Sequence, residues 1–266
     1  MKHLIQVINR ANFGRYGTKR YLAHTAARLE PLAQAGNAQA MYRLGMLHWD
    51  GWGIPQNRER GLELLHASAK AGVLNAAYNL AVAYDNGYSV VKSHYKAFGY
   101  YAQAARLGSV EAMHAIGSIY YWGQGVEQDY TKALHWYRRS AKRGYADGMC
   151  DLARCYQRGL GGPKNLHWAI YWFRKAISGG CLRAQTWLGL AFASEPIEDW
   201  KAARHWLERA AENQHPHAMY SLGVWAEDEW NDQKNLADAA FWFQHAAALG
   251  HERASLRLAE LQGETF

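Results

Sequence analysis

The chain repeats one short unit along almost its whole length, and that repeat constrains the fold more than any other feature. Gly36, Gly72, Gly108, Gly144, Gly180, Gln214 and Gly250 mark its ends, at steps of 36 residues with one step of 34. A second column of small residues, Gly45, Ala81, Gly117, Ala153, Gly189, Gly223 and Ala259, keeps the same steps. A fixed period in this range marks a solenoid, in which each repeat buries its apolar face only against its neighbours. Such an architecture offers a surface for other macromolecules and needs no domain boundary within the 266 residues.

The repeat from Ser109 to Gly144 shows the construction. Ala112, Ile116, Gly117 and Tyr120 recur at three- and four-residue spacing, one face of a helix. Trp122-Gly123-Gln124-Gly125-Val126 breaks the pattern, with Gly123 placed to take the left-handed backbone that ends helices. A second helix opens at Asp129, whose carboxylate accepts from the exposed amides of the first turn. Its buried face is Ala133, Trp136, Tyr137, Ser140 and Ala141. Across six repeats the opening position reads Asn57, Ser93, Asp129, Asn165, Asp199 and Asn235, each a strong N-cap. A small column follows as Gly61, Ala97, Ala133, Ala169, Ala203 and Ala239, and a large one as Leu64, Tyr100, Trp136, Trp172, Trp206 and Trp242. No strand pattern is present. The expected fold is all-α, a superhelix of antiparallel helix pairs.

These small, aromatic and capping columns together resemble the Sel1-like repeat, a relative of the tetratricopeptide repeat. The resemblance implies a right-handed superhelical α-solenoid and an adaptor or scaffold without catalysis of its own, common in bacteria. It covers six repeats: 37–72, 73–108, 109–144, 145–180, 181–214 and 215–250. Residues 1–36 form a basic N-terminal capping segment with a leading helix, and 251–266 a C-terminal capping helix. Repeats five and six lose the Gly-x-Gly loop and carry acidic loops instead, Glu195 to Asp199 and Glu227 to Asp232.

The formal charge of +7 is unevenly spread. Residues 1–36 carry six Lys or Arg against Glu30, a net of +5, which leaves 24 basic and 22 acidic residues, or +2, for the rest. A nucleic-acid groove running the length of the solenoid is not what this distribution describes. No apolar run approaches the roughly 20 residues of a membrane helix. The N-terminus has only a short apolar stretch from Leu4 to Ile8, too short for a secretory signal, and reads as the start of the mature protein. Cys150, Cys155 and Cys181 match no zinc or disulfide spacing and read as small buried hydrophobes in a reducing cytoplasm.

In a superhelix of this kind the first helix of each pair lines the concave side. The positions there that the repeat does not dictate form a stripe, from which the expected partner-binding residues are Arg43, Asn79, Trp122, Asp151, Arg154, Arg158 and Trp187. The stripe also contains Arg183, His217 and Asp228. Trp, Arg and amides are enriched where proteins bind proteins. Arg154 and Arg158, one turn apart, suit a carboxylate or a C-terminus, and internal pairing of these arginines with Asp147 or Asp151 on the same helix is the alternative. Of the other tryptophans, Trp49, Trp168 and Trp225 are expected to pack between repeats. Trp52, Trp200 and Trp230, in or beside loops, join Trp122 as candidates for exposure.

Catalytic and metal signatures are missing. His215-Pro216-His217 is the only close histidine pair and lacks a third ligand. The Gly-rich loops have no preceding strand and no following Lys-Ser/Thr, so they are not phosphate loops. No cofactor and no enzymatic activity are expected. The leading function is a cytoplasmic adaptor that binds a protein partner's segment on the concave face. The alternatives are an inhibitor that occupies a partner's surface, and a tether in which Lys2, Arg10, Arg15, Lys19, Arg20 and Arg28 meet membrane or nucleic acid. A third is salt-sensitive self-assembly of the basic head with the acidic tail.

Overall fold

The structure is a computed structural model that describes residues 19–227 and 235–263. Lys2, Arg10 and Arg15, the side chains of Lys19 and Arg20, and residues 228–234 with Trp230 lie outside the described residues. The described residues form fourteen α-helices and no strand. Their order is α1 (Lys19–Gln34), α2 (Ala38–Asp50), α3 (Arg58–Lys70), α4 (Leu74–Asn86), α5 (His94–Arg106), α6 (Val110–Trp122) and α7 (Tyr130–Lys142). There follow α8 (Ala146–Arg158), α9 (Leu166–Ser178), α10 (Ala184–Phe192), α11 (Trp200–Glu212), α12 (Pro216–Glu227), α13 (Leu236–Ala248) and α14 (Glu252–Leu261). Consecutive helices pack on one another within each of two compact units, Met1–Trp136 and Tyr137–Phe266, which divide within α7.

Both ends of the second helices are built as their sequence demands. Asn57, Ser93, Asp129, Asn165, Asp199 and Asn235 each accept through a side-chain oxygen from the backbone N–H three residues on. Each N-cap is worth about 1 kcal/mol. At the other end the chain stops the helix with a left-handed residue and two reversed bonds. In the second of these stops, Gly108 (φ 105°) donates to the Ala105 carbonyl and Ser109 to that of Ala104. The same pair of bonds recurs at Gly72, Gly144, Gly180, Gln214 and Gly250. Gln214 is the exception in kind, since it holds φ 57° without being glycine. The first helices end similarly at Gly51, Gly87, Gly123 and Gly159, with φ between 68° and 76°.

The single 34-residue step now has a location. The N-cap residue of a second helix donates its backbone N–H to a carbonyl of the first helix nine residues earlier, as from Asn57 to His48 and from Asn165 to Tyr156. In repeat five the same bond runs from Asp199 to Phe192, only seven residues apart. Two residues are missing from that loop, and the helix registry survives because the bond does.

Packing corrects one column. The side chains at the bottom of the second helices are Leu65, Tyr101, Tyr137, Phe173, Leu207 and Phe243, each at most 5% exposed. Tyr100, Trp136, Trp172, Trp206 and Trp242, which the sequence assigns to the core, are only half-buried at its rim. The deep residue lies four positions beyond the small column, one turn away on the same face, where the close approach of the paired helix covers it. That approach is close at Gly45 and Gly61, where an added Cβ on Gly61 would come within 2.8 Å of the Gly45 carbonyl oxygen. Each deep side chain contributes roughly 1.5–3 kcal/mol by leaving water.

Candidate functional site

The first helices of the second unit carry a continuous polar and aromatic row that the core columns do not account for. It starts on α8, where Asp151 is 8% exposed and accepts from two arginines at once. Arg154, one turn on, donates through Nη1 to Asp151 Oδ1 at 3.3 Å. Arg183, just before α10, donates through Nη2 to Asp151 Oδ2 at 3.1 Å and through Nε to Asp147 Oδ1 at 3.3 Å. Both carboxylates of α8 are therefore engaged within the fold, and the pairing of Arg154 with Asp151 on its own helix is the alternative raised from the sequence.

The Arg154 guanidinium also lies 4.6 Å from the centre of the Trp187 ring on α10. A cation held over an indole in this way adds about 1 kcal/mol. On the side of α12, His217 sits 5.5 Å from Trp187, ring centre to ring centre. His217 in turn meets His251, the N-cap of α14, with Nδ1 to Nε2 at 3.3 Å. Tyr220 stacks on His251 at 4.5 Å. The row thus passes from α8 through α10 and α12 to α14 by direct side-chain contact.

Hydrogen bonding fixes the protons along the histidines. The Ala254 N–H donates to His251 Nδ1 at 3.2 Å, so the neutral His251 ring carries its proton on Nε2. That Nε2–H donates to His217 Nδ1, which places the His217 proton on Nε2. Burial, then the neighbouring His251, His215, Arg253 and Arg154, hold the His217 pKa below its ordinary value. Burial likewise lowers that of His251, with Arg253 acting in the same direction and a backbone hydrogen bond and Glu252 opposing.

The sequence-predicted residues divide accordingly. Asp151, Arg154 and Trp187 are brought into mutual contact, and Arg158 follows Arg154 one turn along α8, exposed. Arg43, Asn79 and Trp122 belong to the first unit. Arg43 is exposed and Trp122 is 63% exposed, set edge-on to Tyr121 at 4.9 Å. Asn79 does not offer a free surface. It is 2% exposed, with its Nδ2 donating to the Tyr42 hydroxyl at 3.4 Å, because α2 lays Tyr42 and Met46 over it. Of the remaining tryptophans, Trp52 and Trp200 are partly buried, while Trp168, expected between repeats, is 50% exposed on the outer side of α9.

His251 and Tyr220 are the members of the row that sequence reasoning missed. His251 occupies the column that follows each repeat-end residue, Asn37, Val73, Ser109, Tyr145, Cys181, His215 and His251, and that column would have found it. All three cysteines are free and buried. Among the described residues no three His, Cys, Asp or Glu side chains gather as a metal would require, and no helix is long and apolar enough to cross a membrane.

Six successive stretches match the Sel1 repeat, at residues 38–73, 74–109, 110–145, 146–181, 183–215 and 216–251. The chain is similar in structure to a protective antigen of uropathogenic Escherichia coli with an SLR fold, at a TM-score of 0.79 and 24% identity, over 90% of this chain and 52% of that one. It is also similar to a Sel1 repeat protein from Oxalobacter formigenes, at a TM-score of 0.66 and 24% identity, over 85% of this chain and 99% of that one. In sequence, DAP3-binding cell death enhancer 1 of Mus musculus is 37% identical over 86 residues, 32% of this chain. The chain spans 17% of that relative's length.

Proposed function

The chain belongs to the Sel1 repeat family, whose helix-pair repeats commonly serve as protein-interaction scaffolds, and from that premise we propose that it binds a protein partner on the first-helix face of its second unit. The observation that carries this reading is the row Arg154–Trp187–His217–His251, which crosses four first helices by direct contact. None of these side chains is needed for the glycine, N-cap or deep aromatic pattern of the second helices. Each is nonetheless held in one geometry by its neighbours, and preorganised aromatic and arginine anchors are where binding energy concentrates. The action is binding alone. Trp187 supplies a flat apolar platform, while the arginine and imidazole groups fix the register of the bound segment.

The experiment is a pull-down from native lysate with wild type and a Trp187→Ala/Arg158→Glu variant that melts like wild type. Partners retained by wild type and lost from the variant support the reading. For an isolated partner, Trp187→Ala weakens binding by about 1–4 kcal/mol. Equal retention by both proteins moves the interface elsewhere. The outer side of the second helices is then the next surface, because Trp168, Tyr171 and Phe241 stand about half exposed there. Their ring contacts, such as Tyr171 to Trp172 and Phe241 to Trp242, stay within single helices, which is why the cross-helix row is the stronger candidate.

A further inference from the structure

The hydrogen-bonding capacity left over beside the Trp187 ring is mainly of one kind. Asp147 and Asp151, the two carboxylates on this face of α8, are engaged by Arg183 and Arg154. Arg154 commits Nη1 to Asp151, and its Nε–H is buried without a hydrogen-bond partner. Arg158 lies four residues beyond Arg154, on the same side of α8, exposed and with no ion pair among the described residues. At the other side of Trp187, the proton chain from Ala254 through His251 leaves His217 with an Nε2–H that has no partner among the described residues. The unused groups along the row within a ligand's reach are thus mainly N–H donors: the remaining Nη–H groups of Arg154, the whole of Arg158 and the His217 Nε2–H. A ligand that meets them must bring acceptors, and carboxylates are the acceptors with which arginine forms its strongest paired hydrogen bonds.

From this donor-rich lining we infer that the segment bound on the second unit is acidic, with aspartate or glutamate carboxylates placed on Arg158, Arg154 and His217 across the Trp187 ring. The inference rests on the interaction reading above and gives it a ligand chemistry. The donors lie on α8 and α12 with α10 between them, so a lone carboxylate reaches only one end. An extended segment with two or more acidic side chains reaches both, and apolar side chains between them rest on the indole. His217 makes the same demand by its tautomer. With Nδ1 occupied by His251 it can offer only a donor, so a guanidinium or ammonium group on the ligand would find no acceptor there.

The test uses the full chain and displayed random short peptides selected on it. The best enriched peptide is then synthesised with its Asp and Glu intact and with each replaced by Asn or Gln, and both are titrated by fluorescence anisotropy at low and high salt. The expected result is enrichment of Asp and Glu, binding at least about tenfold weaker for the amide version, a factor worth 1.4 kcal/mol, and a comparable loss on Arg158→Gln. Arg158 has no partner to lose, so that variant folds as wild type, and a matching melt checks it. Selected peptides without acidic enrichment that still lose binding on Trp187→Ala overturn the acidic inference and leave the interaction face standing. Peptides that bind Arg158→Gln and Trp187→Ala as tightly as wild type overturn both. Failure to enrich any peptide overturns the inference of an acidic linear segment.

Discussion

Gln214 provides a direct measure of what the repeat-end glycine does. It shares the column of Gly36, Gly72, Gly108, Gly144, Gly180 and Gly250, whose φ values run from 84° to 105°, and itself sits at 57°. Both helix-stop bonds survive there, from Gln214 N–H to the Ala211 carbonyl at 2.8 Å and from His215 N–H to that of Ala210 at 3.1 Å. Space is not at issue in this column, since a Cβ built on any of its six glycines meets nothing within 4 Å. What remains is backbone strain, roughly 1–2 kcal/mol for a residue with a Cβ in the left-handed region. Glycine returns roughly 0.5–1 kcal/mol of that through the greater freedom of the unfolded chain. Gln214→Gly should therefore stabilise by about 0.5–1 kcal/mol, and Gly250→Ala should destabilise by a similar amount. Urea unfolding reads both as opposite shifts of the midpoint at unchanged slope. A neutral or destabilising Gln214→Gly alongside a neutral Gly250→Ala would refute the reasoning, since strain would then not distinguish the column.

Asp50, at the end of α2, is held partly out of water, and burial pushes its pKa from 3.8 up to about 6 against the opposing pull of Arg58. The folded chain therefore binds this proton more tightly than the unfolded chain. Its contribution is fully present below pH 4 and lost as pH rises through 6. After allowance for solvent screening, Asp50→Asn should stabilise by about 1 kcal/mol at neutral pH and flatten the profile between pH 4 and 6, read by urea unfolding across that range. The His217 and His251 pair carries the opposite sign, since both pKa values are lowered. Its stabilisation is complete above the unfolded-state value near 6.5 and is lost as pH falls through the folded values. The stability difference between wild type and His251→Asn, which keeps an N-cap oxygen, should be largest above pH 7 and shrink as pH falls below about 6.5, read by thermal melts across that range. Asn165→Ala removes the bond to the Trp168 N–H and should cost about 1 kcal/mol in urea unfolding, while Asn165→Asp should restore most of it.

The fold was legible because its columns combine chemistries that rarely coincide by chance. Six N-caps at one position can only open helices, and small residues at a fixed offset can only mark close approach. The rim Trp column was harder to place, because Trp136 and Tyr137 are both large and lie about 100° apart on one helix. Which of them goes under depends on the partner helix, whose position no local pattern gives. For the candidate site the sequence reached Asp151, Arg154, Arg158 and Trp187 by asking what the repeat leaves free. It could not separate them from Asn79, which occupies an equivalent position, because the burial of Asn79 depends on Tyr42 and Met46 in the preceding repeat. The His217–His251 contact was out of reach for the same reason, since it joins residues 34 apart through one specific pairing of rings.

The most direct test of the central claim is a comparison of faces by site-specific photo-crosslinking in native lysate. A photoreactive amino acid replaces Arg158 on the first-helix side in one variant and Tyr171 on the outer side of α9 in another, both exposed in the free chain. A discrete adduct from position 158, suppressed by Trp187→Ala and missing from position 171, is the predicted result. Adducts from position 171 alone, or from 158 regardless of Trp187, would contradict it.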